Sequence, residues 1–332
     1  MNQQVPSFYP LLLQPAYQHY LWGGRRILDM FHRPDQQKIV AESWELSDRP
    51  EGDVLIENGV YREMRLSELQ RQLQSELIGR PASCLPLLIK LIDATLDLSI
   101  QVHPNEKTAP TLQGEPKTEV WIVLDAEPGA FVYAGLKKKA SLAELRQAIQ
   151  REQLPQLLHR IAVKAGDVIF IPAGTIHAIG AGCFILEVQQ NSNTTYRVFD
   201  YGRRDAEGNM RTLHLEEALV ATDLHHFSGA LQQPRLKRED KAVKWEELIA
   251  CPYFCVDRLH VYEEIDCARA EQSFTYYFVL KGRGKIKTDT QDYDLAFGRS
   301  YLLPYGLKKW HLQSEQDLVL MTAYLHPINS HS

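Results

Sequence analysis

The amino-acid sequence predicts a mainly β protein built from two related β-barrels, the first carrying helical inserts and the second plain. Short apolar, β-branched runs end at glycine or proline turns at close intervals, a pattern of barrels and sandwiches and not of alternating strands and helices. Helical periodicity is confined to a few stretches. A ten-residue pattern also recurs: AGDVIFIPAG at 165–174 and FGRSYLLPYG at 297–306 each pass through a glycine turn, an apolar run, a proline and a small-residue turn.

In chain order, a first helix is expected from Ser67 to Leu77, where Leu69, Leu73 and Leu77 recur every four residues and Ser67 serves as N-cap. A second starts at Ser141, with Glu144 at capping-box spacing and Leu142, Leu145 and Ile149 on one face, and the pattern extends to Arg160. A third begins at Thr212. Val163 to Ile171 reads as a strand ended by Pro172, another strand runs through His177, and Phe184 to Gln190 is strand-like again. Phe227 to Glu239 is polar, carries Pro234 and lacks periodicity, so it reads as a linker. Beyond it, TYYFVLKGRGKIKTD reads as strand, Lys-Gly-Arg-Gly turn and strand. The expected division is residues 1–240 for the insert-bearing barrel and 241–332 for the plain one. The second copy of the repeat has no histidine at the position answering to His177, so a metal, if present, belongs to the first.

The chain has 332 residues and 44% hydrophobic content, enough for a large core, and a formal net charge of −5. Such mild acidity argues against a nucleic-acid partner, which needs a dominant basic surface, but leaves room for a local basic pocket. The five cysteines form no CxxC pair and read as free thiols of a reducing compartment. No signal peptide and no membrane-spanning apolar run is apparent, which leads to the expectation of a soluble, cytoplasmic protein without a membrane partner.

Candidate metal ligands occur in three places. In SIQVHP (Ser99 to Pro104), strand alternation puts Gln101 and His103 on one face. In KTEVW (Lys117 to Trp121), Lys117 and Glu119 share a face in the same way. In PAGTIHAIG, His177 lies just past a turn. Two imidazoles, a carboxylate and an amide oxygen leave room for water or substrate. The set suits a catalytic zinc, and iron, manganese or cobalt would accept it too. Trp22 and Trp44 could wall a ligand site or belong to the core. His225 and His226 read as surface groups.

Beyond these, YLWGG at Tyr20 to Gly24, AESWELSD at Ala41 to Asp48, LPLLIKLIDATLDLSIQVHP from Leu85, KTEVW, VKAGDVIFIPAGTIHAIG and QQNSNTTYRVFDYGR at Gln189 to Arg203 resemble the signature segments of type I mannose-6-phosphate isomerases. The match runs from about Tyr20 to Leu219 and is similar to the compact bacterial branch. The resemblance implies two cupin-type (jelly-roll) β-barrels and one zinc ion per chain held by Gln101, His103, Glu119 and His177. It implies a catalytic Arg197, with Ser99, Lys117 and Lys90 around a small sugar-phosphate substrate. Asn193 departs from the family, which often carries aspartate four residues before the arginine. The implied reaction interconverts mannose 6-phosphate and fructose 6-phosphate through an enediol, with Lys117 and His103 both open as proton-transfer groups. Lys90 could instead pair with Asp93 or Glu119, and Arg197 with Asp200 or Asp48. Two other readings share much of the ligand set: a non-catalytic cupin sensing a sugar phosphate, and a metal-dependent cupin oxygenase. Intact Arg197 and Lys117 argue for the isomerase.

Overall fold

Leucine and β-branched runs between turn residues make strands, and the chain is mainly β, with a few short helices distributed over both of its units. The structure, a computed structural model, describes residues 8–34, 39–204 and 208–327. Two compact units emerge, each assembled from separated stretches of chain: Met1–Ala16, Trp44–Leu88 and Gln233–Ser332 in one, Tyr17–Ser43 and Ile89–Gln232 in the other. No helix among the described residues is long and apolar enough to cross a membrane.

The first, ten-stranded unit orders its main sheet as Arg235–Glu239, Val243–Ala250, Phe254–Val261, Lys309–Leu325, Thr275–Lys287, Ser300–Leu303, Leu11–Gln14 and Leu55–Ile56. Two side strands, Glu264–Ala268 and Asp292–Ala296, pair with Lys309–Leu325 and Thr275–Lys287. Leu11, Leu12 and Leu13 stand opposite Leu302, Tyr301 and Ser300, so residues 233–332 share their sheet with the start of the chain. The unit's core is aliphatic and aromatic, with Val243, Leu259, Tyr277, Ile286, Trp310 and Leu320 all buried.

Several local expectations are corrected here. The Lys-Gly-Arg-Gly segment is no hairpin turn: Thr275–Lys287 is one strand, bulged where its register with Lys309–Leu325 shifts between Val279 and Gly284. Gly282 supplies the φ of +74° that the bulge needs. The polar segment before Lys241 is strand over Arg235–Glu239, whose residues are all exposed. An edge strand of charged side chains has no apolar alternation to betray it. The helix expected from Ser67 starts at Leu66. The Ser67 N–H is satisfied by Asp53 Oδ1 at 3.1 Å, so Ser67 is not the cap. The helix breaks at Gln74, where φ is +48°.

The second, insert-bearing unit contains two sheets. Leu231–Gln232, Val168–Ile171, Glu119–Ala126, Cys183–Gln190 and Leu87–Asp93 run side by side in one, and the other is ordered Tyr196–Phe199, Ile100–Val102, His177–Ile179, Phe131–Leu136, Leu158–Ala162. Trp121, Ile169, Ile171, Ile179 and Ile185 pack together in one buried cluster. Helices Leu142–Gln150, Leu154–Leu157 and Leu215–Ala221 cover a second cluster with Ile100, Val102 and Val198. Ser141 caps its helix as expected, accepting from Glu144 N at 3.2 Å while Glu144 Oε2 accepts from Ser141 N at 2.8 Å. The pattern does not continue to Arg160: Glu152 takes a φ of +57°, and Leu158–Ala162 is strand.

One charge anchors this unit. Asp93 is fully buried and accepts from the backbone N and Nε of Arg26 at 2.8 and 2.7 Å. Arg26 also donates to the carbonyls of Gly182 and Cys183 at 3.0 and 2.9 Å. Burial raises the Asp93 carboxyl, and Arg26 opposes that rise. Arg26→Met is therefore expected to destabilise the protein by about 3–5 kcal/mol near neutral pH, the usual cost of leaving a buried charge unpaired. In the variant the folded-state pKa of Asp93 rises further above its unfolded value. The deficit should shrink as pH falls, because a neutral Asp93 needs no partner. Urea melts at pH 7.5 and 4.5 check this, and an equal deficit at both would refute it.

Candidate active site

Strand register brings the chemistry of the insert-bearing unit together. Gln101 stands directly opposite His177 on one neighbouring strand and opposite Arg197 on the other. Directly paired residues share a face, so Arg197, Gln101 and His177 form one row across three strands. His103 follows two positions after Gln101. Glu119 opens the strand Glu119–Ala126, opposite Ile171 and Gln189. The backbone N of Gly174, a residue at φ +87°, donates to His103 O at 2.8 Å and so ties the turn before His177 to the His103 segment.

His103, Glu119 and His177 are buried, and their ligand atoms lie within 4.8 Å of one another; no other such histidine, cysteine and carboxylate cluster exists among the described residues. His103 Nδ1 donates to Thr194 O and His177 Nδ1 to Thr175 O, both at 2.8 Å. A carbonyl can only accept, so both rings carry their proton on Nδ1 and turn a bare Nε2 toward Glu119. Those Nε2 atoms lie 3.7 and 3.2 Å from the carboxylate. Gln101 joins them, its amide 3.4 Å from His177 Nε2 and 3.3 Å from Ser99 Oγ. A half-turn of that amide faces its oxygen toward the cluster and its NH2 toward Ser99.

The donor set passes a direct test of fit for a divalent cation. Neither Glu119 oxygen receives a well-formed hydrogen bond, although the residue is fully buried. Buried carboxylates without donors are costly, and a cation relieves that cost. The imidazoles are also ready as ligands: burial drives His177 down to about 4 and, with the charge of Lys117, holds His103 well below its ordinary value. Both are neutral at physiological pH.

A cavity of about 310 Å3 adjoins this cluster, and Gln101, Lys117, Ser99, Lys90 and Arg197 line it. Lys117 bridges the two features, with Nζ 2.7 Å from Glu119 Oε2 and 3.3 Å from His103 Nε2. Burial lowers the Lys117 pKa, but the charges of Glu119 and Glu187 outweigh it, so the net shift is upward. Arg197 donates from Nε to Ser99 Oγ and from Nη1 to Thr212 O, both at 3.2 Å. Neither Asp200 nor Asp48 pairs with it; Asp200 is held by Arg203 and Arg211. Lys90 pairs with neither Asp93 nor Glu119 but lies 3.2 Å from Glu42. Trp22 lines the cavity, whereas Trp44 is core. Asn193 lines it too, four residues before Arg197.

Sequence reasoning missed Glu187, Glu42 and His214. Glu187 accepts from Trp121 Nε1 at 2.9 Å and lies 3.9 Å from both Lys117 and Lys90. Its only sequence signal was a charge inside the apolar run FILEVQQ. His214 Nδ1 accepts from the backbone N of Arg197 at 3.3 Å. Four cationic side chains (Lys90, Lys117, Arg197, Arg211) and two carboxylates (Glu42, Glu187) line the cavity, a balance that suits an anionic ligand.

Comparison with known proteins agrees with this geometry. Residues 11–121 match the family model of the phosphomannose isomerase type I catalytic domain, and residues 244–323 that of the mannose-6-phosphate isomerase cupin domain. The chain is similar to a mannose-6-phosphate isomerase of Streptococcus mutans, 35% identical over 93% of this chain and 97% of that one. It is likewise similar to the mannose-6-phosphate isomerase ManA of Bacillus subtilis, 34% identical over 94% and 98%. Among solved structures, a mannose 6-phosphate isomerase from Bacillus subtilis superimposes with a TM-score of 0.88 at 30% identity, covering 95% of this chain and 99% of that one. The cupin-type fold is thereby shared.

The histidine shifts have a consequence for the metal-free chain. Unfolded histidines take a proton near 6.5, while folded His177 waits until about 4 and His103 is shifted the same way. The stability they contribute is present above 6.5 and lost as pH falls through that window, at about 1.4 kcal/mol per pH unit for each group. Denaturant melts of chelated protein between pH 7.5 and 4.5 should show this slope, and His177→Gln should lack about one proton's share. An unchanged slope in His177→Gln would count against the assignment.

Proposed function

Because the chain belongs to the type I phosphomannose isomerase family, we propose that it interconverts mannose 6-phosphate and fructose 6-phosphate with one zinc ion held by His103, Glu119, His177 and Gln101. The observation that carries the metal is the buried Glu119 carboxylate, with Lys117 as its close cation, facing two bare imidazole nitrogens. The reacting sugar lies in the cavity that Gln101 and Lys117 connect to this cluster. The bound cation would act as a Lewis acid toward the sugar oxygens, stabilising the negative charge that develops there.

The remaining work falls to the chain's own side chains. Isomerisation moves a hydrogen from C2 of the open-chain aldose to C1, while the carbonyl passes from C1 to C2. The enediol between them carries charge on oxygen. Arg197, permanently charged and braced by Ser99 and Thr212, supplies a fixed cation against that charge. His103 is committed through Nδ1 to Thr194 and through Nε2 to the cluster, which leaves Lys117 to move protons. With Glu119 engaged by a cation, Lys117 keeps Glu187 as its main attractive partner and burial pulls its pKa down toward a useful range. Glu187 and Glu42 orient Lys90, and Lys90 and Ser99 serve the substrate phosphate and hydroxyls.

A coupled assay on mannose 6-phosphate tests the reading. Exhaustive chelation should abolish turnover, zinc should restore it, and metal analysis should find one ion per chain and none in His177→Gln. Full activity without metal ends the zinc proposal, and metal without turnover favours a sensing protein. Arg197→Ala should lower kcat by about 10²-fold or more, the effect of removing one preorganised donor, with a smaller change in KM. A folded, zinc-loaded variant with unchanged kcat and raised KM would make Arg197 a binding residue.

A further inference from the structure

The ten-stranded unit contains a cavity for which the isomerase reaction has no use. Its volume is about 210 Å3, and its walls include the rings of Trp245, Tyr277, Trp310 and Tyr324 and the hydroxyls of Thr275 and Thr322. Trp310 follows Lys309, the residue that stands five after Pro304 as His177 stands five after Pro172. At that end of the repeat, the ten-stranded unit has an aromatic wall in place of an imidazole ligand. The rings are fixed, not loosely packed. Trp310 Nε1 donates to Tyr277 OH at 3.3 Å, and the two rings meet edge to face. Asp257 Oδ2 accepts from Trp245 Nε1 at 2.8 Å, from Lys237 Nζ at 3.0 Å and from Tyr324 OH at 3.1 Å.

Polar capacity is left over. Asp257 is fully buried, yet its Oδ1 has no donor. It stands directly opposite Thr322 on the neighbouring strand, hence on the cavity's face of the sheet. The hydroxyls of Thr275 and Thr322 make no hydrogen bond among the described residues. The occupant must therefore offer hydroxyls to these groups and an apolar face to the rings. It must also be small, because pockets for drug-sized ligands start at about 300 Å3. It carries no phosphate, since Lys237, the cation nearest the rings, is already engaged by Asp257 and lies 3.8 Å from Glu247.

We propose that this cavity binds a neutral monosaccharide, its C–H face stacked on the aromatic rings and its hydroxyls bonded to Thr275, Thr322 and the Asp257 side. None of its lining residues belongs to the metal cluster or lines the cavity beside it, and cavity variants should leave isomerase activity unchanged.

Free mannose and free fructose, titrated into the zinc-loaded full chain and followed by tryptophan fluorescence and ligand-observed NMR, test the proposal. Binding should saturate and persist when mannose 6-phosphate is in excess. It should weaken about three- to tenfold in Thr322→Val, the loss of one neutral hydrogen bond, and vanish in Ala270→Phe, which fills the cavity's lining. Thr322→Val decides alone if Ala270→Phe fails to fold. The proposal falls if no neutral hexose saturates, if excess mannose 6-phosphate abolishes binding, or if both cavity variants bind as wild type. It falls equally if indole, a planar ring without hydroxyls, binds more tightly than either sugar.

Discussion

Glu119 sits fully buried with neither oxygen served by a well-formed hydrogen bond. A charge in that condition is tolerated only if its surroundings are arranged around a compensating cation. Lys117 provides part of that compensation at 2.7 Å. The two histidines provide none while neutral; their bare nitrogens add electron density to the same spot. Four separate segments are held in register to maintain this arrangement. The Thr194 and Thr175 carbonyls fix the rings, Gly174 ties one histidine's segment to the other's, and Gln101 pairs across to both His177 and Arg197. Much of the insert-bearing unit's strand order serves this one unfavourable burial.

Lysine and glutamate alternate around the cavity in a way that limits each member. Lys117 and Lys90 both approach Glu187, and Glu42 approaches Lys90. Burial raises the Glu187 carboxyl, while the two lysines pull it down. Lys117 and Glu187 each shift the other, so substitution of either changes the protonation of its partner. The proton chemistry of the site belongs to the network as a whole.

The residues near strand ends were legible from sequence. Gln101 and Glu119 lie on strands, and His103 and Lys117, one and two residues outside those strands, still come close to Glu119. The repeated glycine-to-proline pattern likewise gives matching four-residue strands, Val168–Ile171 and Ser300–Leu303. Ser141 and Glu144 announced their helix through local hydrogen bonds. What escaped depends on distant partners. Arg235–Glu239 is a strand only because Val243–Ala250 pairs with it, and the N–H of Ser67 in the first helical turn is met by Asp53. Glu187 looked like a stray charge in an apolar run, because its lysine and tryptophan partners are far away in sequence. The pairing of Leu11–Gln14 with Ser300–Leu303 left no local mark at all.

That last pairing sets a timetable for synthesis. All the residues of the insert-bearing unit exist once the chain has reached residue 232. Leu11 to Leu13 are made about 290 residues before the strand they pair with. At translation rates of about 5–20 residues per second, they wait for tens of seconds as an apolar strand edge without its mate. During that interval Leu55–Ile56 is the one neighbouring strand of Leu11–Gln14, among the described residues, that has already been made.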